Sequence, residues 1–192
     1  MSDTEAVVST IVSDNYDAGV QCAKDMMKKK TSANIIIVNQ KALNSINERV
    51  KGFRDTIKGH PQYKIVEEKE SAAEFEIAMK VMEKIIYEKK NYDVVMGGND
   101  PIALGCIAAM QMTDKTDQVM VYGVDGSPDG KAMIKAGFLE GTAAQSPIKI
   151  GEKAVQTAYS YLAGETVKKH VTIPVELITA DNLKFYDMTG WQ

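Results

Sequence analysis

Three features of the sequence predict an α/β fold with a parallel sheet and helices on both faces. Short apolar, β-branched runs alternate with helical patterns along the whole chain, and the connections between them are short. One run within residues 34–38 (NIIIV) is continuously apolar from Ile35 to Val38, as a strand buried on both faces would be. The chain has 192 residues, 44% of them hydrophobic and 26% charged, the balance of an ordinary globular protein. No internal repeat, low-complexity segment or Pro/Ser-rich linker interrupts it.

In order, residues 6–12 (AVVSTIV) predict a strand closed by Ser13-Asp14-Asn15. From Tyr16 to about Lys30 the spacing of Ala18, Cys22, Ala23, Met26 and Met27 predicts a helix. Lys28-Lys29-Lys30 ends it where cations suit the helix dipole. After the strand at 34–38 and a loop at 39–44, Ser45 with Glu48 reads as a capping box. It opens a helix to Ile57 with Val50, Phe53 and Ile57 inward, stopped by Gly59-His60-Pro61. Residues 63–66 form a strand, and 72–88 a long helix with a stripe of Phe75, Ala78, Met82, Ile85 and Ile86. The strand at 94–96 stops at Gly97-Gly98. Asp100 reads as the N-cap of the helix that begins at Pro101 and runs to about Met112. The strand at 119–124 stops at Asp125-Gly126. Ser127-Pro128 has a favoured N-cap and a proline at the first helical position, for a helix to about Lys135. A strand at 139–144 ends at Gln145, a helix runs from Pro147 to Leu162, and a last strand spans 171–178 before a tail at 180–192.

Several functions are disfavoured. The net charge is −3 and no basic block occurs, which argues against a nucleic-acid surface or an anionic-membrane patch. The longest apolar runs reach about six residues, far short of a bilayer. Met1-Ser2-Asp3-Thr4-Glu5 is acidic where a signal peptide would be basic, so either the protein is cytoplasmic or its start has been removed. Cys22 and Cys106 sit among apolar residues and read as buried free thiols. His60 and His170, the only histidines, support no nucleophile–base arrangement. Residues 126–132 (GSPDGKA) have the wrong glycine spacing for a phosphate loop, and Ala132 stands where Ser or Thr would bind magnesium. Acidic residues show no metal-ligand spacing.

What remains is a set of polar residues at strand ends or loop edges: Asn15, Arg49, Asn99, Asp125 and Gln145. Amides, a carboxylate and a guanidinium can saturate hydroxyls that both donate and accept, so these types suit a sugar. The plainer alternatives are a helix cap for Asn15, a solvated helix residue for Arg49, and turn residues for Asn99 and Asp125. In an open α/β sheet, ligands bind at the carboxyl ends of strands.

At these residues the chain resembles a known family. Residues 97–111 (GGNDPIALGCIAAMQ), 119–130 (VMVYGVDGSPDG) and 138–165 (FLEGTAAQSPIKIGEKAVQTAYSYLAGE) are similar to the ribose- and galactose-type periplasmic sugar-binding proteins. So are 12–19 (VSDNYDAG) and 47–53 (NERVKGF). The resemblance covers essentially the whole chain. It implies a type I periplasmic-binding fold of two α/β lobes joined by a three-strand hinge, with sugar clamped between them.

On that pattern residues 1–12 are a hinge strand and 13–145 the second lobe. Residues 146–176 belong with the first lobe, the rest of which is expected to be missing, and 177–192 return across the hinge. The resemblance implies that Arg49, Asn99, Asp125 and Gln145 hydrogen-bond the sugar, with Ser45 near it. Ala73 stands where an aromatic usually packs on the sugar ring, which leaves room for a ligand bulkier than or different from ribose. It also implies a receptor of an ABC-type importer with a membrane permease as partner, no cofactor, no metal and no chemistry. The location would be extracytoplasmic, as a periplasmic protein or cell-surface lipoprotein with its signal segment outside this chain. The alternative is the sensing core of a lactose-repressor-type regulator, which shares the fold and would carry a helix-turn-helix. The apolar face of Pro147–Leu162 (Ile150, Ala154, Ala158, Tyr161, Leu162) would pack on the missing lobe. Left open, it would pair with a second copy or refold. With half the clamp missing, the chain alone is expected to bind sugar weakly.

Overall fold

A computed structural model describes residues 6–113 and 119–191; the expectation drawn from residues 1–5 lies outside them. Strands and helices alternate as β1 (Thr10–Ser13), α1 (Asn15–Lys29), β2 (Ala33–Asn39), α2 (Asn44–Ile57), β3 (Tyr63–Glu70), α3 (Phe75–Tyr87), β4 (Val94–Gly97), α4 (Asp100–Gln111), β5 (Met120–Asp125), α5 (Pro128–Lys135), β6 (Gly141–Ala144), α6 (Pro147–Leu162), β7 (His170–Ile173) and β8 (Glu176–Thr179). Six strands form one sheet in the order β3-β2-β4-β5-β6-β8. The β3–β2, β2–β4, β4–β5 and β5–β6 pairs are parallel. The central strands are apolar on both faces because helices cover both. Ile35, Ile36, Ile37, Val38, Val94, Val95 and Met96 are fully buried.

β1 and β7 pair with each other, in parallel, as a separate two-stranded sheet. Within the described residues the chain therefore passes between the sheets three times: at 13–15, at 145–147 and at 173–176. The first and third crossings are joined by the Asp14 N–H donating to the Ile173 carbonyl at 2.9 Å.

Several predicted boundaries move. The last strand is two strands: β7 belongs to the small sheet, and β8 joins the large one antiparallel to β6. Pro174, which has no N–H to give a ladder, lies between them. The first strand begins only at Thr10, and Val7 and Val8 before it are exposed. β3 continues past its apolar start through Glu67-Glu68-Lys69-Glu70; it is an edge strand, where charged side chains are tolerated and discourage pairing with another chain. α3 starts at Phe75 rather than 72, because Ala73 takes a left-handed φ of 60°. The Ser45–Glu48 capping box does not form: α2 starts one residue earlier, with Leu43 at the cap position and no side-chain capping bond.

Cys22 and Cys106 are free and buried. Among the described residues no helix is long and apolar enough to cross a membrane. The tail folds back over α5, where the buried Lys131 ammonium donates to the carbonyls of Asp187 and Gly190.

Candidate functional site

The carboxyl ends of β4, β5 and β6 carry Gly98-Asn99, Asp125 and Gln145, and the end of β1 carries Ser13. α1 and α2 supply Asn15 and Arg49. These two helices pack with almost no spacing: a Cβ on Gly19 would lie 1.8 Å from the Arg49 carbonyl, and one on Gly52 would lie 2.0 Å from the Tyr16 carbonyl. Glycine at both positions lets the backbones touch and sets Asn15 beside Arg49.

The side chains close a ring of hydrogen bonds. Ser13 Oγ donates to Gln145 Oε1 at 2.8 Å, and Gln145 Nε2 donates to Asp125 Oδ1 at 2.7 Å. Arg49 Nη1 reaches the same Asp125 oxygen at 3.4 Å and the Gly98 carbonyl at 2.9 Å. Arg49 Nε donates to Asn15 Oδ1 at 2.9 Å, and Asn15 Nδ2 donates back to the Ser13 carbonyl at 3.1 Å.

The Arg49 and Asp125 side chains are 5% and 15% exposed. Burial pushes the Asp125 carboxyl up to about 6, against the pull of Arg49, Gln145 and the Asp100 N–H. The Asp100 carboxylate adds to the upward push. Burial likewise lowers the Arg49 guanidinium, offset by Asp125 and Asp100. Desolvation outweighs attraction for both because their single contact is long. Asp125 also takes a φ of 151°, a backbone state that L residues rarely adopt and that concentrates at ligand sites.

Behind the ring, Asp100 is fully buried. It accepts from the Ser127 N–H at 2.9 Å, from Ser127 Oγ at 2.7 Å and from Thr142 Oγ1 at 2.6 Å. Thr142 Oγ1 in turn accepts from the Gly126 N–H at 3.0 Å. One carboxylate thus fixes the turn that aims Asp125. Gly123 and Gly130 make room for it, since a Cβ at either would lie 2.4 or 2.5 Å from its oxygens.

Two cap assignments are corrected. The cap of α4 is Asn99, not Asp100: the helix begins at Asp100, and Asn99 Oδ1 accepts from the Ile102 N–H at 3.0 Å. The cap of α1 is Asp14, accepting from the Asp17 N–H at 3.0 Å, which leaves Asn15 free for Arg49.

Of the predicted site residues, the fold brings Arg49, Asp125 and Gln145 into one network. Asn99 stays outside it: its Nδ2 donates to the Ala73 carbonyl at 3.4 Å. Ser45 is half-buried one turn before Arg49, and among the described residues no hydrogen bond joins it to the ring. Ser13 was not among the sequence candidates. Its only signal was its place at a strand end, where it read as a stop. Among the described residues no group of three or more His, Cys, Asp or Glu is placed to hold a metal.

Residues 2–166 match the family model of the periplasmic binding protein domain. The ribose import binding protein of Escherichia coli K12 is 31% identical over 175 residues, covering 90% of this chain and 58% of that protein. The D-apiose import binding protein of Paraburkholderia graminis is 31% identical over 189 residues, covering 96% and 60%. Among solved structures, the Caulobacter myo-inositol binding protein bound to myo-inositol superposes with a TM-score of 0.86 at 27% identity, covering 96% of this chain and 64% of that one. An ABC transporter solute binding protein from Bacillus halodurans with bound myo-inositol gives 0.87 at 26%, covering 93% and 63%. The chain thus spans 58% and 60% of the two curated relatives' length.

Proposed function

The chain belongs to the periplasmic binding protein family, and on that premise we propose that it forms part of a sugar-binding receptor of an ABC-type importer. Its ligand is a mono- or small saccharide, held without chemistry. The observation that carries this reading is the buried ring around Asp125. Arg49 offers donors, Asp125 acceptors, and Gln145 and Asn15 both, all held in place before a ligand arrives. Relatives described as binding proteins for ribose, D-apiose and myo-inositol support the ligand class.

Arg49, Asp125 and Gln145 hydrogen-bond the sugar in this reading. Asn99 does so by turning its amide from Ala73, and Ser45 lines the rim. Residues 13–145 with the returning 177–192 form one lobe, while 1–12 and 146–176 belong with another. The split into a six-stranded and a two-stranded sheet supports that division. Sugar biases an open–closed equilibrium of the lobes, and the closed form docks on a membrane permease outside the cytoplasm. The exposed face of α6 pairs with a second copy when nothing else covers it.

The test is an NMR titration of the isotope-labelled chain with D-ribose, D-apiose and myo-inositol. Binding by one lobe is weaker than about 1 mM, with shifts confined to residues around Arg49, Asn99, Asp125 and Gln145. No shift with any of the three, or shifts grouped elsewhere, contradicts the reading.

A further inference from the structure

We propose that Ser13 is a positioning residue that links the state of the polar ring to the way the two-stranded sheet sits against the six-stranded one. The inference rests on the sugar-binding reading for its purpose, but its geometry stands by itself.

Ser13 ends β1, which pairs with β7 in the small sheet, and it opens the first crossing. Gln145 opens the second crossing, just after β6 of the large sheet. Their 2.8 Å bond therefore joins two of the three crossings. Other ties between the crossings avoid the ring. Asp14 N–H meets the Ile173 carbonyl, and Gln21, within α1, holds the third crossing by donating to the Val175 carbonyl and accepting from the Leu177 N–H of β8. Among the described residues, the Ser13–Gln145 contact is the tie between crossings made by a side chain of the ring.

The Gln145 amide is planar, with Oε1 and Nε2 on one rigid unit. Asp125, as a carboxylate, can only accept, so Nε2 faces Asp125 and Oε1 faces Ser13, whose hydroxyl must then donate. The two bonds cannot move independently. A ligand hydroxyl that donates to Asp125 Oδ1 competes with Gln145 Nε2. Turning that amide withdraws Oε1 from Ser13 and loosens the crossing. Asn15 closes the circuit from the other side, holding both Arg49 Nε and the Ser13 carbonyl.

The experiment measures electron spin–spin distances in the ligand-free chain. Labels are carried on Tyr87→Cys in α3 and Lys153→Cys in α6, both exposed positions, the second away from the Val155, Tyr159 and Leu162 side of its helix. Cys22 and Cys106 are buried and stay unlabelled. We expect one narrow distance distribution. Ser13→Ala broadens or shifts it, and Ser13→Thr, which keeps the hydroxyl, restores it. Gln145→Leu, which breaks the same bond from the other end, reproduces the Ser13→Ala change. Asp125→Ala, which opens the ring at the site, moves the distribution the same way, and Ser13→Ala adds nothing to it. A purely structural hydroxyl would lower the melting temperature without this dependence on Asp125. The proposal is overturned if folded Ser13→Ala and Gln145→Leu both match the parent distribution, or if Ser13→Ala and Asp125→Ala act additively. Failure of the sugar reading would appear in the NMR titration and leave these ligand-free distances unchanged.

Discussion

At the scale of single residues, the site works through two buried carboxylates with different tasks. Asp125 faces the ring, and burial raises its carboxyl above the ordinary range. Its folded value, about 6, lies above the ordinary 3.8, so the folded protein holds this proton more tightly than the unfolded chain does. Its stabilising contribution is complete below the ordinary value and is lost as pH rises through about 6. Asp125→Asn should therefore raise stability at pH 7.5 by about 3 kcal/mol, with the gain vanishing near pH 4, while weakening sugar binding. Urea unfolding at the two pH values checks this; an equal change at both would contradict it. Asp100 has no part in the ring but holds the turn behind it. Asp100→Ala strands the Ser127 N–H and the Thr142 hydroxyl and should cost about 3 kcal/mol by the same method; a change within experimental error would contradict that role. Asp125 and Gln145 were legible in the sequence because each is a polar residue at the end of an apolar run. The cap passed from Asp100 to Asn99 because a helix start is uncertain by a residue, and one residue decides which side chain caps and which is buried. Ser13 was not legible, since its partner lies 132 positions away.

At the scale of elements, the α1–α2 contact places Arg49 against Asn15. Gly52→Ala puts a methyl into the Tyr16 backbone and should cost about 1–3 kcal/mol in chemical denaturation. The helices must separate to admit it, so the Arg49–Asn15 bond should lengthen and sugar-induced NMR shifts at Arg49 should shrink. A variant as stable as the parent would show that the helices have slack. The helices and central strands were legible from their periods, 3.6 for α1 and unbroken apolar runs for β2 and β4. Pairing was less so. The charged end of β3 carries no apolar signal, because an edge strand needs none. A single run at 171–178 concealed two strands, because both halves are apolar enough to be buried and only Pro174 marks the change of sheet.

At the scale of the whole molecule, the two-sheet arrangement leaves α6 on the small sheet with no buried residue. The stripe expected to pair shifts: Ala154, Ala158 and Tyr161 line a hollow with Val8 and Ile11, while Val155, Tyr159 and Leu162 are 56%, 71% and 80% exposed, an apolar face of the kind that drives association. Sedimentation over a range of concentrations should show reversible self-association, reduced by Val155→Glu with Leu162→Glu. A monomer at all concentrations would contradict the pairing of α6. The alternation of strands and helices around a mostly parallel sheet could be read from the sequence, while the separate pairing of β1 with β7 could not. Such pairing depends on residues about 160 positions apart, which no local pattern encodes.

If the ring around Asp125 is a sugar site, sugar must displace its internal hydrogen bonds. The most direct measurement is a crystal structure of the chain grown at saturating D-ribose or myo-inositol. Sugar hydroxyls should then lie within hydrogen-bond distance of the Arg49 guanidinium and the Asp125 carboxylate, with the Gln145 amide turned toward the ligand. An ordered sugar bound away from the ring, such as in the 690 Å³ concavity between α6 and β7 lined by Gln156, Tyr159 and Val171, with the ring still closed, would contradict it.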